Sequence, residues 1–304
     1  MPDAPKPASA LFVGSGVALV TPFHEGGVHE TVLRELVRFQ LREGTDALIV
    51  NGSTGEASAM SPAEQRRAVE IVVDEAGRRV PVIAGAGGSD TAAVSALARA
   101  AKEAGADALL IAPPPYNKPP QRGIVAHFRK VMEAGDLPAI AYNVPGRTAC
   151  NILPETMETL AEDERIVGIK EASGDISQVA EVCRRLAHRV AVYSGNDDQV
   201  VPLMALGGVG VISVLANVAP RDTARMAHAF LEGSVAESRE IQLRFLPLIA
   251  ALFREPNPIP VKAGVGMLGF DVGGPRLPLV EVSDALRDEL RAAMDALGLS
   301  AGEG

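Results

Sequence analysis

Among its 304 residues the chain has no tryptophan, three tyrosines, five histidines and two cysteines. Each scarcity excludes something. Cys150 and Cys183 cannot build a disulfide framework, so the expected setting is a reducing cytoplasm. His24, His29, His127, His188 and His228 show no ligand spacing, so neither a metal nor any other cofactor is expected. No apolar run reaches the roughly 18–20 residues that cross a bilayer. The Pro/Ala-rich start, Met1 to Ala10, lacks the pattern of a leader peptide and reads as a flexible tail. The net charge of −9 argues against a nucleic-acid or membrane surface, and it means that an anionic substrate needs a local cation. Lysine is sparse too: of 29 basic residues only Lys6, Lys102, Lys118, Lys130, Lys170 and Lys262 are lysine. With 47% hydrophobic and 22% charged residues, the composition is that of an ordinary globular enzyme.

What is present is an alternation. Apolar runs at 13–20, 47–50, 81–85, 108–112, 139–143, 166–172, 191–194 and 210–215 read as buried strands. Helical spacing follows each, as over 28–43, where Val32, Leu33, Leu36, Val37 and Leu41 share a face. Ser61-Pro62 with Glu64 is a helix start with a capping box. The stretch 43–50 echoes 104–111: a helix end, a glycine, then a strand. Eight such units in about 220 residues fit a TIM (β/α)8 barrel. A doubly wound sheet is the competing arrangement, but no dinucleotide fingerprint follows the first strand. From about Ser234 the alternation stops and helices remain. The expected division is a tail (1–10), a barrel (11–233) and a C-terminal helical part (234–304).

The most unusual strand is Ile166-Val-Gly-Ile-Lys-Glu-Ala172. A lysine in a buried strand loses hydration and its pKa falls; Gly168 and Ala172, on the same face, leave room around it. Such an amine attacks carbonyls to form a Schiff base. The alternative is a strand-end lysine that snorkels outward or pairs with Glu171. Barrel enzymes carry their chemistry at the C-terminal ends of strands, and several distinctive residues fall there. Ser53 and Thr54 follow strand two, Tyr116 strand four, Tyr142 and Arg147 strand five, and Gly195-Asn-Asp-Asp198 strand seven. A phenol is a workable proton shuttle when hydroxyls relay its proton, and an arginine fork fits a carboxylate. Each has a bland counterpart: a half-buried barrel tyrosine, a surface arginine, a tight turn at Gly52-Ser-Thr-Gly55. Asp197 and Asp198 read as caps of the following helix.

Together Gly52-Ser-Thr-Gly-Glu56, Tyr116-Asn-Lys-Pro119, Tyr142-Asn-Val-Pro-Gly-Arg-Thr148, Gly168-Ile-Lys-Glu-Ala172 and Glu255-Pro-Asn-Pro-Ile-Pro-Val-Lys262 resemble the dihydrodipicolinate synthase family, within the pyruvate-dependent class I aldolase superfamily. The resemblance runs from about Val13 to at least Leu279. It implies a Schiff base between Lys170 and pyruvate, Tyr142 as general acid/base, and a relay through Ser53 and Tyr116, the latter reaching across a subunit interface. It places Thr54 on the pyruvate carboxylate, Arg147 on the carboxylate of L-aspartate-4-semialdehyde, and backbone groups of Gly195 and Ile212 in the pocket. It implies a homotetramer, a dimer of dimers, in diaminopimelate and lysine synthesis. Two departures stand out. Ser53 replaces the family's usual threonine, as in N-acetylneuraminate lyase, whereas Arg147 and Ala172 fit the synthase. Members inhibited by lysine grip it with polar or aromatic side chains at positions that here hold Pro62, Gln65, Ser89, Ala93 and Pro115, so weak or no inhibition is expected. A sibling aldolase acting on sugar acids, or a keto-acid-binding barrel without turnover, are the alternatives.

Overall fold

The computed structural model describes residues 10–299. The expected tail therefore lies, but for Ala10, outside the described residues. In chain order the elements are β1 (Gly14–Ala18), the short pair β2 (Phe23–His24) and β3 (Gly27–Val28), α1 (Glu30–Arg42), β4 (Ala47–Val50), α2 (Pro62–Ala76), β5 (Val82–Ala86) and α3 (Thr91–Glu103). There follow β6 (Ala108–Ile111), α4 (Gln121–Gly135), β7 (Ala139–Asn143), α5 (Pro145–Thr148), α6 (Pro154–Leu160), β8 (Ile166–Glu171) and α7 (Ile176–Leu186). The chain ends with β9 (Ala191–Ser194), α8 (Val200–Ala205), β10 (Gly210–Ser213), α9 (Pro220–Leu231), α10 (Val235–Leu252), α11 (Ile259–Met267) and α12 (Asp284–Asp295).

Strands β1 and β4 to β10 close in sequence order into one barrel, with β10 returning to β1. Every adjacent pair is parallel. This is the (β/α)8 barrel that the alternation predicts. The strands are apolar on both faces because one face fills the barrel and the other meets the helices. Ile49, Ile83, Leu110, Ile140, Tyr193 and Ile212 pack inside. The third tyrosine, Tyr193, is structural: its ring stacks on Phe12 with centroids 4.4 Å apart, and its hydroxyl donates to the Phe12 carbonyl at 2.7 Å.

Local signals act as their chemistry requires. Ser61 accepts the Glu64 N–H, and the Glu64 carboxylate accepts the Ser61 N–H, with Pro62 opening α2. Asp90 and Asp175 cap α3 and α7, each worth about 1 kcal/mol. Helices α10 to α12 bury Phe245, Leu248, Val261, Leu286 and Leu290 in one apolar cluster with Val32 and Leu36 of α1 and Met226 of α9. No helix among the described residues is long and apolar enough to cross a membrane.

Candidate active site

Register brings the reactive pair together. On adjacent strands β7 and β8, Tyr142 stands opposite Lys170 and Asn143 opposite Glu171. Side chains alternate, so Tyr142 and Lys170 face the barrel interior while Asn143 and Glu171 face the helices. Lys170 Nζ lies 4.5 Å from the centroid of the Tyr142 ring. Lys170 does not snorkel: it is 4% exposed. Nor does it pair with Glu171, whose carboxylate is taken by Asn143, Ser173 and Gln178 on the other face.

Glycine makes the space. A Cβ on Gly195 would lie 2.6 Å from Ala172 Cβ and 3.0 Å from Lys170 Cε, so no other residue fits beside the lysine without displacement. Burial lowers the Lys170 pKa to about 7; the Asp197 carboxylate opposes that shift and the Arg147 guanidinium adds to it. Burial pushes the Tyr142 phenol up, against the pull of Arg147 and a hydrogen bond with Ser53. A carbonyl arriving here would meet an amine that is substantially neutral at physiological pH, next to a phenol that still holds its proton.

Above the pair opens a cavity of about 530 Å³, lined among others by Ser53, Pro115, Tyr142, Arg147, Asn257 and Arg276. Lys170 is not among the lining residues, nor are Thr54, Gly195, Ile212 and Tyr116. Ile212 sits on β10 in the barrel interior. Tyr116 is 89% exposed, in a left-handed conformation with φ 70°. A single chain thus assembles Lys170, Tyr142 and Ser53 and leaves Tyr116 outside.

Two residues escaped the sequence reading. Asn257, between prolines in the segment before α11, donates from Nδ2 to Thr54 Oγ1 at 2.9 Å and accepts Arg147 Nη2 on its carbonyl at 3.1 Å. It joins the two groups expected to hold carboxylates, and a lone amide in a proline-rich run was the available signal. The other is Asp197, which does not cap the following helix as its position suggests. It reaches across to β10, accepting Ser213 Oγ at 2.5 Å and the Val214 and Leu215 N–H groups at 3.0 and 2.9 Å. Its charge acts on Lys170 from beyond the end of the adjacent strand β9, a relation that a local pattern does not carry. Among the described residues no group of three or more His, Cys, Asp or Glu could hold a metal ion.

The profile of the Dihydrodipicolinate synthetase family matches residues 11–297. A 4-hydroxy-tetrahydrodipicolinate synthase from Thermoanaerobacter sp. (strain X514) is 50% identical over 290 residues, covering 95% of this chain and 98% of the relative. The crystal structure of dihydrodipicolinate synthase from Aquifex aeolicus superposes with a TM-score of 0.93 at 42% identity, covering 96% of this chain and 100% of that one. The enzyme from Cyanidioschyzon merolae, solved with lysine bound, gives 0.92 at 40% identity, covering 95% and 99%. The chain belongs to the dihydrodipicolinate synthetase family, a family of lyases.

Proposed function

We propose that the chain condenses pyruvate with L-aspartate-4-semialdehyde, the 4-hydroxy-tetrahydrodipicolinate synthase reaction, through a Schiff base on Lys170. One observation carries the assignment of Lys170: a lysine only 4% exposed, its Nζ 4.5 Å from the centroid of the Tyr142 ring, where burial brings its pKa down to about 7. The neutral Nζ adds to the keto carbon of pyruvate. Tyr142 protonates the departing hydroxyl, which leaves as water and gives the imine. Loss of a methyl proton turns the imine into an enamine, whose carbon attacks the aldehyde. The amino group of the second substrate then adds to the imine carbon, closing the ring and freeing Lys170. Thr54 holds the pyruvate carboxylate, Arg147 that of the semialdehyde, and backbone groups of Gly195 and Ile212 border the bound keto acid.

The relay from Tyr142 runs through Ser53 to Tyr116 of a neighbouring subunit. The exposure of Tyr116 supports that reading, since its ring packs on nothing among the described residues of its own chain and is available to a neighbouring subunit. A homotetramer and a cytoplasmic setting belong to the same proposal, the latter supported by two unpaired, buried cysteines. Lysine inhibition is absent or weak: Pro62, Ala93 and Pro115 offer an ammonium no side-chain acceptor, and the Gln65 amide N–H, which could otherwise hold a carboxylate, is spent on the Ala57 and Met60 carbonyls. Inhibition at physiological lysine concentrations would overturn that point.

The test is mass spectrometry after borohydride reduction with pyruvate, with the same preparation assayed on the semialdehyde. The expected result is a reduced pyruvyl adduct on Lys170 and formation of the ring product. An adduct without product keeps the imine and rejects the second substrate in favour of a sibling aldolase. No adduct rejects the Schiff base.

A further inference from the structure

Behind Tyr142 and Lys170, on the outer face of the same two strand ends, lies a network that the proposed chemistry does not use. Asn143 is fully buried and Glu171 nearly so. Asn143 Nδ2 donates to both Glu171 oxygens, at 3.2 and 3.0 Å. The carboxylate also accepts the Ser173 N–H at 2.7 Å and Gln178 Nε2 at 3.2 Å. Asn143 Oδ1 accepts the Ile152 N–H at 2.9 Å, while Nδ2 also reaches Asn151 Oδ1 at 2.8 Å. Asn151 and Gln178 then bond each other at 2.7 and 3.2 Å. Every donor to the carboxylate is uncharged. A surface ion pair would keep its options open in water, but this anion is committed to fixed, directional N–H groups.

We propose that Asn143 and Glu171 are positioning residues: an outer clamp that sets the separation of Tyr142 and Lys170. The inference rests on the roles proposed above for Lys170 and Tyr142. Each clamp residue is the chain neighbour of one reactive residue, and the register matches clamp to clamp and phenol to amine. Backbone bonds fix the strand register here, but not the twist of each strand end about its axis. Beyond the paired residues β7 and β8 are joined by the Ala172 N–H on the Asn143 carbonyl at 2.8 Å; β7 then passes through Val144 into α5, and β8 into the turn before α7. Rotation of either strand end about its axis would swing Tyr142 or Lys170 out of reach of the other. The buried amide–carboxylate pair resists that rotation from the opposite side, where it costs the active site no space. A misplacement of about 1 Å at reacting groups lowers a rate roughly 100-fold, so a clamp of this kind acts on catalysis well before it acts on folding.

Isosteric exchange tests this in the full-length enzyme. Glu171→Gln sets two amide N–H groups face to face, and Asn143→Asp sets two carboxylates together, with little change in volume. In the double variant the bond is restored in reverse, with the new amide on β8 donating to the new carboxylate on β7; Ile152 and Ser173 keep their acceptors, and the Asn151 and Gln178 amides, which bond each other, flip together to present an N–H to β7 and an oxygen to β8. The readouts are the initial rate of borohydride-trapped pyruvyl adduct on Lys170 per folded chain, the kcat and KM for each substrate, and the thermal midpoint. Each single variant is expected to slow imine formation and kcat by about 10- to 100-fold while leaving both KM values within about threefold. The double variant should recover at least about tenfold over the worse single one. Single variants that trap at the wild-type rate, or a double variant no faster than the worse single one, would overturn the clamp. Should both single variants fail to fold, Gln178→Ala carries the test, since it removes one donor at the rim; trapping at the wild-type rate there overturns the proposal. Absence of any adduct in the wild-type enzyme would instead reject the Schiff-base reading itself, so the two failures are distinguishable.

Discussion

Lys262 Nζ lies 2.9 Å from Glu56 Oε1, with the two side chains 2% and 1% exposed. The pair joins α11 to the loop that carries Ser53 and Thr54. Glu56 holds a left-handed φ of 54°, and its second oxygen accepts the Arg276 N–H at 2.7 Å. Lys262 also donates to the Gly274 carbonyl at 3.0 Å and sits 4.5 Å from the Phe23 ring centroid. Removing one partner strands a buried charge, whereas removing both need not. Glu56→Ala is therefore expected to cost about 3–5 kcal/mol in denaturant unfolding, and Glu56→Gln with Lys262→Met far less. A double variant as unstable as the single one would refute this account of the pair.

The pH dependence of imine formation follows from Lys170. Attack requires the neutral amine, and burial brings its pKa to about 7. The trapping rate should climb as pH rises to about 7 and level off above it. An ordinary lysine would keep climbing toward roughly pH 10. Asp197 opposes the shift, so Asp197→Asn should move the midpoint further down. A profile still rising steeply at pH 9 would contradict the burial argument.

The same burial costs stability. Between about pH 7, the folded value, and 10.5, the ordinary one, the unfolded chain holds a proton on Lys170 that the folded chain lacks, so stability rises with pH across that window. Below the folded pKa the penalty is complete. Lys170→Met removes it at little change in shape, and should raise the thermal midpoint most at pH 7 and below, with the gain shrinking toward pH 10. Scanning calorimetry at two pH values decides it: a gain that is equal at both, or a loss at pH 7, would show that the lysine is not held at the expense of stability.

The barrel was legible because its signals are local. Apolar runs, the Ser61–Glu64 capping box and the glycines that end helices each act within a few residues. Lys170 could be singled out because alternation alone places it with Gly168 and Ala172. What escaped depends on closure and register. A bulge shifts β7 against β8 between Ala139 and Ile140, and no single-strand pattern shows which residue of one strand will oppose Tyr142. Asp197 bonds to the far side of its neighbouring strand, and Asn257 reaches Thr54 across 203 positions of sequence. Helix-capping rules assign such polar residues to their nearest helix end, because that is the only partner visible from the sequence.

Arg147 should reveal two separable roles. Its Nη2 is held on the Asn257 carbonyl at 3.1 Å, at the wall of the cavity and away from Lys170's own strand. In the proposed reaction it takes the semialdehyde carboxylate, so Arg147→Ala should raise the KM for that substrate by about 10- to 100-fold, the worth of roughly 1.5–3 kcal/mol for a hydrogen bond to a charged group. The pyruvate KM should move little. Its charge also holds down the pKa of both Lys170 and Tyr142. Removing it should shift the trapping profile to higher pH, in the direction opposite to Asp197→Asn. Arg147→Lys separates the effects: the charge remains and the profile should stay near wild type, but an ammonium cannot present the guanidinium's fork, so the KM defect should persist. If Arg147→Ala changed the pyruvate KM instead, the arginine would belong to the first substrate and the carboxylate assignments of Thr54 and Arg147 would have to be exchanged.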